Sequence, residues 1–392
     1  MSKQKSLKLN FIMNAILTMS SFLFPLITFP YVSRVLLPAG TGRVSFANSV
    51  VTYFVMISQL GIPTYGIRAC AVVRDDEEKL KKTVYELFII NVVMSIFAYV
   101  VFFIALASVP RLRADRNLFL ITSTLIFFNT IGVEWLYKAL EQYTYITIRS
   151  IIFKFIALIA MFILVRNVDD YVIYGGISIF AASASNVFNF IRLRKIIGAK
   201  KVSNLNFKKH FKPVFTFFII SCATTIYTNL DNVMLGFMKD DVEVGYYNAA
   251  TKIKNILVSI VTSLGTVLMP RASYYIQQEM WDEFYKLSKK AIKFVLLAAI
   301  SMMIYFMIFA REGVLFLSGE TFGGAVVPMI IIMPTLLFIG LTNIMGIQML
   351  IPMGNENAVM ISTFAGAIVD LILNAIFIPF LGSSGAAIGW CG

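Results

Sequence analysis

Long apolar stretches separated by short polar ones constrain this chain more than any other feature. A helical crossing of a bilayer needs ~20 mostly apolar residues. Eleven stretches meet that test: 9–35, 43–63, 84–108, 117–138, 145–165, 171–192, 211–236, 245–270, 291–317, 325–351 and 358–380. Inside lipid every backbone N–H and C=O must be bonded internally, so runs of this length read as helices. With 58% hydrophobic and only 14% charged residues, and a mean hydropathy of +0.80, the chain cannot bury its apolar surface as a soluble domain. The expected class is an all-α polytopic membrane protein. GAAIGWCG, from Gly385, opens a twelfth span that stops at Gly392, so a C-terminally truncated chain is expected.

Charge fixes the orientation. The basic start, MSKQKSLKLN, precedes an apolar run much longer than a signal-peptide core and reads as the cytoplasmic end of a retained first helix. From that start, about two thirds of the 34 Lys and Arg fall on inside segments. The net charge of +13 therefore follows from topology and needs no nucleic-acid partner. The longest basic run, RLRKIIGAKKVSNLNFKKHFKP, lies between the sixth and seventh spans and reads as a cytoplasmic linker resting on anionic headgroups. It separates an N-terminal lobe, 1–192, from a C-terminal lobe, 211–392, with 193–210 as the linker. Two cytoplasmic segments, from Ala272 and from Arg74, have the Lys and aromatic pattern of helices lying in the interface.

The lobes carry similar residues in the same order. A shift of 203 positions sets Gly42 on Gly245, Ser45 on Asn248, Thr52 on Asn255, Gln59 on Thr262 and Arg68 on Arg271. Such parallel repeats suggest a two-lobe transporter of pseudo-symmetric six-helix units. In the eighth span Asn248, Lys252, Asn255, Ser259, Thr262 and Thr266 recur at steps of three and four, one face of a helix that is otherwise apolar. That face is expected to line a wet passage, with Ser45, Thr52 and Gln59 opposite. The first span adds Asn10, Asn14, Thr18 and Ser21.

Charges within spans are costly and mark candidate sites. Lys252 is the leading candidate. Lys254 lies about 200° round the helix from it, so only one of the two faces the passage squarely. Lys154 sits mid-span. Asp370, with Asn374 one turn on, reads either as a small-cation site or as an interhelical hydrogen-bonding pair. Arg34 and Asp231 end the first spans of the two lobes and are candidates for an outer gate pair. Pro25, Pro30, Pro328 and Pro334 are candidate hinges. No HExxH, Walker A or GxSxG motif occurs, His210 is the single histidine, and Cys70, Cys222 and Cys391 lack CxxC spacing. An enzyme, a bound cofactor and a metal centre are not expected; a secondary process is, coupled either to an ion gradient of protons or sodium or to substrate consumption.

FPYVSRVLLPAGTGRVSFANSVVTYFVMISQLGIPTYGIR (from Phe29), DNVMLG (from Asp231), GYYNAATKIKNI (from Gly245), MPR (ending at Arg271) and EWLYKALEQYTYITIRSIIFK (from Glu134) resemble the Wzx-type polysaccharide flippases of the MOP exporter superfamily. The resemblance implies two six-helix lobes around a central cavity in the cytoplasmic membrane. It also implies a substrate, an undecaprenyl-diphosphate-linked oligosaccharide carried to the outer leaflet by alternating access, with polymerase and glycosyltransferases as partners. A peptidoglycan-precursor flippase, a multidrug antiporter of the same superfamily and a membrane transferase are the rival expectations.

Overall fold

A computed structural model describes residues 7–197 and 204–391, except for the side chains at 263–271 and a few others. The basic start, the middle of the linker, and the side chains of Thr266 and Arg271 lie outside the described residues. No strand occurs among those described. Among the described residues, seven helical stretches are long and apolar enough to cross a membrane, or eight if the bent pair Glu320–Ile332 and Thr335–Leu350 counts as one. The chain is a multi-pass membrane protein.

Helix α1 runs Leu7–Gln59, 53 residues. At 1.5 Å per residue that is about 80 Å, more than twice the ~30 Å hydrocarbon core. It is not one rod: Leu37 sits at φ 59°, ψ 178°, and splits it. Pro38 follows, lacking an N–H and disfavouring helical geometry in the residue before it. The helix passes through Pro25 and Pro30 without leaving helical geometry, so Leu37–Pro38, rather than those two prolines, makes the break.

The chain continues through α2 (Ile62–Val72), α3 (Glu77–Ser108), α4 (Pro110–Ala114), α5 (Arg116–Gly132), α6 (Glu134–Ala139), α7 (Tyr143–Leu164), α8 (Tyr171–Ile179) and α9 (Asn186–Ile197). Asp76 caps α3 by accepting from the Lys79 amide at 3.0 Å. The Lys79 ammonium and that amide hold the Asp76 carboxyl below its usual range. At 32 residues, about 48 Å, α3 outruns the bilayer core, and its charged start continues straight into the span. No separate interfacial helix forms there. The expected span 117–138 breaks at Val133, which takes φ 37°. Freed carbonyls in lipid need partners, and α9 supplies them. Asn189 Nδ2 donates to Gly132 O at 2.6 Å and Asn186 Nδ2 to Phe128 O at 3.1 Å. A π-helical turn at 180–184 interrupts the expected span 171–192.

The remaining helices are α10 (Lys208–Met238), α11 (Asp241–Gln277), α12 (Trp281–Ile308), α13 (Ala310–Ser318), α14 (Val326–Ile332), α15 (Thr335–Thr342), α16 (Glu356–Leu381) and α17 (Ser383–Gly389). The expected interfacial helix from Ala272 is absent. Its first part ends α11, and the rest, from Trp281, is the beginning of α12, continuous with the span. Between α14 and α15 the helix axis bends by 47° at Met333–Pro334.

The chain forms two compact units. Unit 1 holds the residues up to Thr28 together with Ala47–Asn229; unit 2 holds Phe29–Phe46 and Leu230–Gly392. Unit 1 is cored by Ile62, Leu87, Trp135, Leu136, Tyr137 and their neighbours. A hydroxyl chain also crosses it: Ser58 Oγ lies 2.7 Å from Ser95 Oγ, which lies 2.6 Å from Thr130 Oγ1.

The described C-terminal end of the linker is anchored to unit 1. His210 is 2% exposed, and its Nε2 lies 2.8 Å from Oε2 of Glu86, which is fully buried on α3. A carboxylate only accepts, so Nε2 carries the proton, and Nδ1 accepts from Tyr65 Oη at 2.9 Å. Glu86 also takes Lys209 Nζ at 2.7 Å and the Asn206 amide at 2.7 Å. Replacing Glu86 by alanine strands the buried His210 Nε2–H and the part-buried Asn206 amide and is expected to cost about 1–3 kcal/mol. A thermal melt of purified protein will show it as a lowered Tm; an unchanged Tm would mean these donors find other partners.

Candidate functional site

In unit 1 two expected cavity residues come together. Thr52 and Gln59, on the second half of α1, line a hollow of about 240 Å³ with Ser221 and Thr225 of α10. Steps of seven from Thr52 to Gln59 and of four from Ser221 to Thr225 keep each pair on one helix face. Val55, Met56, Gly61 and Pro63 complete the lining, and the Thr52 and Ser221 hydroxyls donate to Asn48 O and Phe217 O of their own helices, which leaves their oxygens as acceptors beside the Gln59 amide. Lys154, twelve residues into α7, donates from Nζ to Ser20 Oγ at 2.9 Å and Ser21 Oγ at 3.0 Å. Asn14 is exposed and its carbonyl accepts from Thr18 Oγ1 at 2.9 Å.

In unit 2, Ser45, Asn248 and Lys252 are half-buried and Asn255 is exposed. Lys252 makes no hydrogen bond or ion pair with any described residue. The deeply held lysine is the other one. Lys254 is 2% exposed, its ammonium 3.3 Å from the centroid of the Trp390 ring, in cation–π geometry. Around it lie two acids, Asp231 of α10 and Asp370 of α16, each 1% exposed and each acting electrostatically on Lys254. Asn374 joins the acids. Its Nδ2 donates to Asp231 Oδ1 at 2.6 Å and to Asp370 Oδ1 at 3.0 Å. Tyr247 Oη donates to the other oxygen of Asp231. Gly389 of α17 closes the cluster so tightly that a Cβ there would meet Asn374 and Asp370. Asp370 Oδ2 and Asn374 Oδ1 have no hydrogen-bond partner.

The charges explain the arrangement. Two buried carboxylates and one ammonium leave a formal charge of −1 when all are ionised. One proton or one small monovalent cation would neutralise it. Asn374 therefore bonds between helices, to Asp231 of α10, and within α16 to Asp370, while Asp370 and Asn374 each contribute an unsatisfied oxygen. Sequence reading favoured Lys252 because it aligns with Asn248 and Asn255. The signal for Lys254 was its spacing of seven from Tyr247, two turns on the same face.

The expected Arg34–Asp231 gate pair does not form. Arg34 donates from Nη2 to Phe316 O at 2.6 Å and from Nη1 to Leu317 O at 3.4 Å, at the C-terminal end of α13. Carbonyls there have no helical partner, and a cation suits that end of the helix dipole. Asp231 is committed to Tyr247 and Asn374. An ion pair forms instead between Arg43 Nε and Asp241 Oδ2, at 3.2 Å.

Comparison with known proteins places this geometry. Residues 7–276 match the family model described as polysaccharide biosynthesis protein, and residues 217–376 match MatE. A "Putative O-antigen transporter" of Escherichia coli (strain K12) is 24% identical over 388 residues, covering 98% of this chain and 92% of that protein. Another so named, from Shigella dysenteriae, is 23% identical over 373 residues, covering 94% and 92%. Among solved structures, the lipid II flippase MurJ in an inward closed conformation superposes with a TM-score of 0.75 at 17% identity, covering 97% of this chain and 84% of that one. An inward-facing multidrug resistance MATE family transporter of the MOP superfamily gives 0.68 at 13%, covering 97% and 93%. These relatives are named as transporters and a flippase. The first family model spans well over half of the sequence, so the chain belongs to the polysaccharide biosynthesis protein family.

Proposed function

We propose that the chain flips undecaprenyl-diphosphate-linked oligosaccharide repeat units from the inner to the outer leaflet of the cytoplasmic membrane, by alternating access, for surface polysaccharide synthesis. The N-terminus is on the cytoplasmic side, and 1–192 and 211–392 act as the two lobes. Polymerase and glycosyltransferases are the working partners. The carrying observation is the hollow lined by Thr52, Gln59, Ser221 and Thr225: hydroxyl and amide groups set within an apolar, multi-pass fold. Sugars present hydroxyls that such groups match, and a buried polar group gains only when it is paired. The names of the relatives support a polysaccharide-linked substrate, and Lys154, Lys252, Asn248, Asn255, Ser45 and Asn14 supply further polar contacts along its path.

The driving gradient acts at the Asp231–Asp370–Lys254 cluster. Its formal −1 charge is relieved by a proton or sodium ion, and the helices that carry it, α10, α11 and α16, are those that must shift if binding is to move the fold. No cofactor takes part.

The test is complementation. In cells lacking their own flippase, the chain should restore surface polysaccharide. Filling the hollow with Gln59→Leu and Thr225→Leu together should lower that yield by roughly tenfold, about the effect of one lost hydrogen-bonded contact, at unchanged protein level. Failure of the wild-type chain to restore polymer, coupled with export of cationic dyes, would make it a drug antiporter instead.

A further inference from the structure

A groove of about 400 Å³ runs between the first half of α1 and α7, within unit 1. Ile16, Met19, Leu23, Ile27, Ile151 and Phe155 form its walls, and all six are exposed, so it opens to lipid. One group on it is out of keeping with that lining, the Lys154 ammonium. An ammonium has three donors, and Ser20 and Ser21 take two of them. Both are neutral hydroxyls. No described carboxylate is within ion-pair reach; Glu134, the acid whose charge acts on Lys154, is bound to Lys138 at 2.8 Å.

Depth matters as much as charge. Lys154 lies about 17 Å along α7 from Tyr143, half-way through a 22-residue helix. Its stem cannot carry the charge to either interface, and its ammonium is tied to serines of α1 at the same level. A cation there without a counter-ion is costly, and it calls for an anion at mid-membrane. The apolar walls call for a long hydrocarbon chain beside that anion. An ordinary phospholipid keeps its phosphate at the interface, ~15 Å away. A lipid whose head group is being carried through the bilayer does not.

We propose that this groove holds the polyprenyl chain of the lipid-linked substrate, with its diphosphate on the third donor of Lys154. The proposal rests on the flippase reading above and adds where the tail lies: outside the fold, along α1 and α7, while the sugars occupy the polar interior.

Photolabelling tests it. The full chain in nanodiscs is irradiated with a sugar-free polyprenyl diphosphate carrying a photoreactive group in its chain, and labelled peptides are mapped by mass spectrometry. Labels on 16–27 and 151–158 are expected. Lys154→Gln should reduce them about tenfold, as loss of a charge-assisted bond implies, while Lys154→Arg keeps them. Leu23→Trp with Ile151→Trp, which fills the groove, should reduce them equally. A photoreactive phosphatidylglycerol that labels the same peptides as strongly would make this a phospholipid site and overturn the proposal. Labelling concentrated on other helices would overturn the groove and leave the flippase reading standing. No specific labelling anywhere would sink both.

Discussion

Replacing Lys254 by methionine will destabilise the protein by about 3–5 kcal/mol, because it leaves two buried carboxylates with no cation. Asp231 and Asp370 share the Nδ2 of Asn374, and Tyr247 holds Asp231 from the other side. None of these neutral groups offsets a second negative charge. Methionine nearly matches the volume of lysine and is itself at home against an aromatic ring, so the change isolates charge from packing. The companion variant settles the cause. Lys254→Met combined with Asp231→Asn removes one charge of each sign and should recover most of the lost stability, because replacing both members of a buried pair costs far less than breaking it. Thermal melts of the purified protein read both. If the double variant melts as low as Lys254→Met alone, the lysine matters through its contact with Trp390 and not through the acids. The same variants bear on transport. A chain that folds with Asp370→Asn but no longer responds to a proton or sodium gradient would locate the coupling charge.

The sequence made the membrane class plain because each span is long, and twenty apolar residues leave lipid as the only sufficient solvent. The interruptions within spans were not legible. Val133 carries no turn signature, and its left-handed geometry is tolerated because Asn186 and Asn189, some fifty residues away, bond the released carbonyls. Pro334 was visible and does mark a bend; Pro25 and Pro30 were equally visible and do not. Helical spacing identified Lys252 by its polar neighbours on one helix, yet Lys254 is set by acids on two others, which no single-helix pattern contains. Asp370 with Asn374 was readable because both lie on one face of α16. Arg34 was misread for a related reason: the carbonyls that hold it are backbone groups of α13, and side-chain chemistry gives no sign of them.

The matched glycines give the second large effect. Gly42 and Gly245 occupy equivalent places under the shift that aligns the two lobes, and in unit 2 they face each other's helices at backbone distance. A Cβ on Gly42 would overlap the Asp241 carbonyl and come within 2.9 Å of the Gly245 nitrogen. A Cβ on Gly245 would overlap the Pro38 carbonyl. The obstacles are main-chain atoms, which cannot rotate aside as a side chain would. Small residues let helices approach this closely in membranes, where association rests on packing. Either glycine changed to alanine must therefore part the start of α11 from residues 38–42 and strain the Arg43–Asp241 ion pair beside them. Overpacking of this kind costs about 1–3 kcal/mol per site, and leucine more. In the proposed orientation, with the N-terminus in the cytoplasm, this junction lies on the outer side, and parting it should then also open that side. Thr41→Cys provides the readout, because Thr41 is only 2% exposed. A membrane-impermeant maleimide added to intact cells should label Cys at that position poorly in the parent and several-fold faster when Gly245→Ala is added. Equal labelling rates together with an unchanged Tm would show that the two helices are not held by this contact, and that the junction does not seal the outer face.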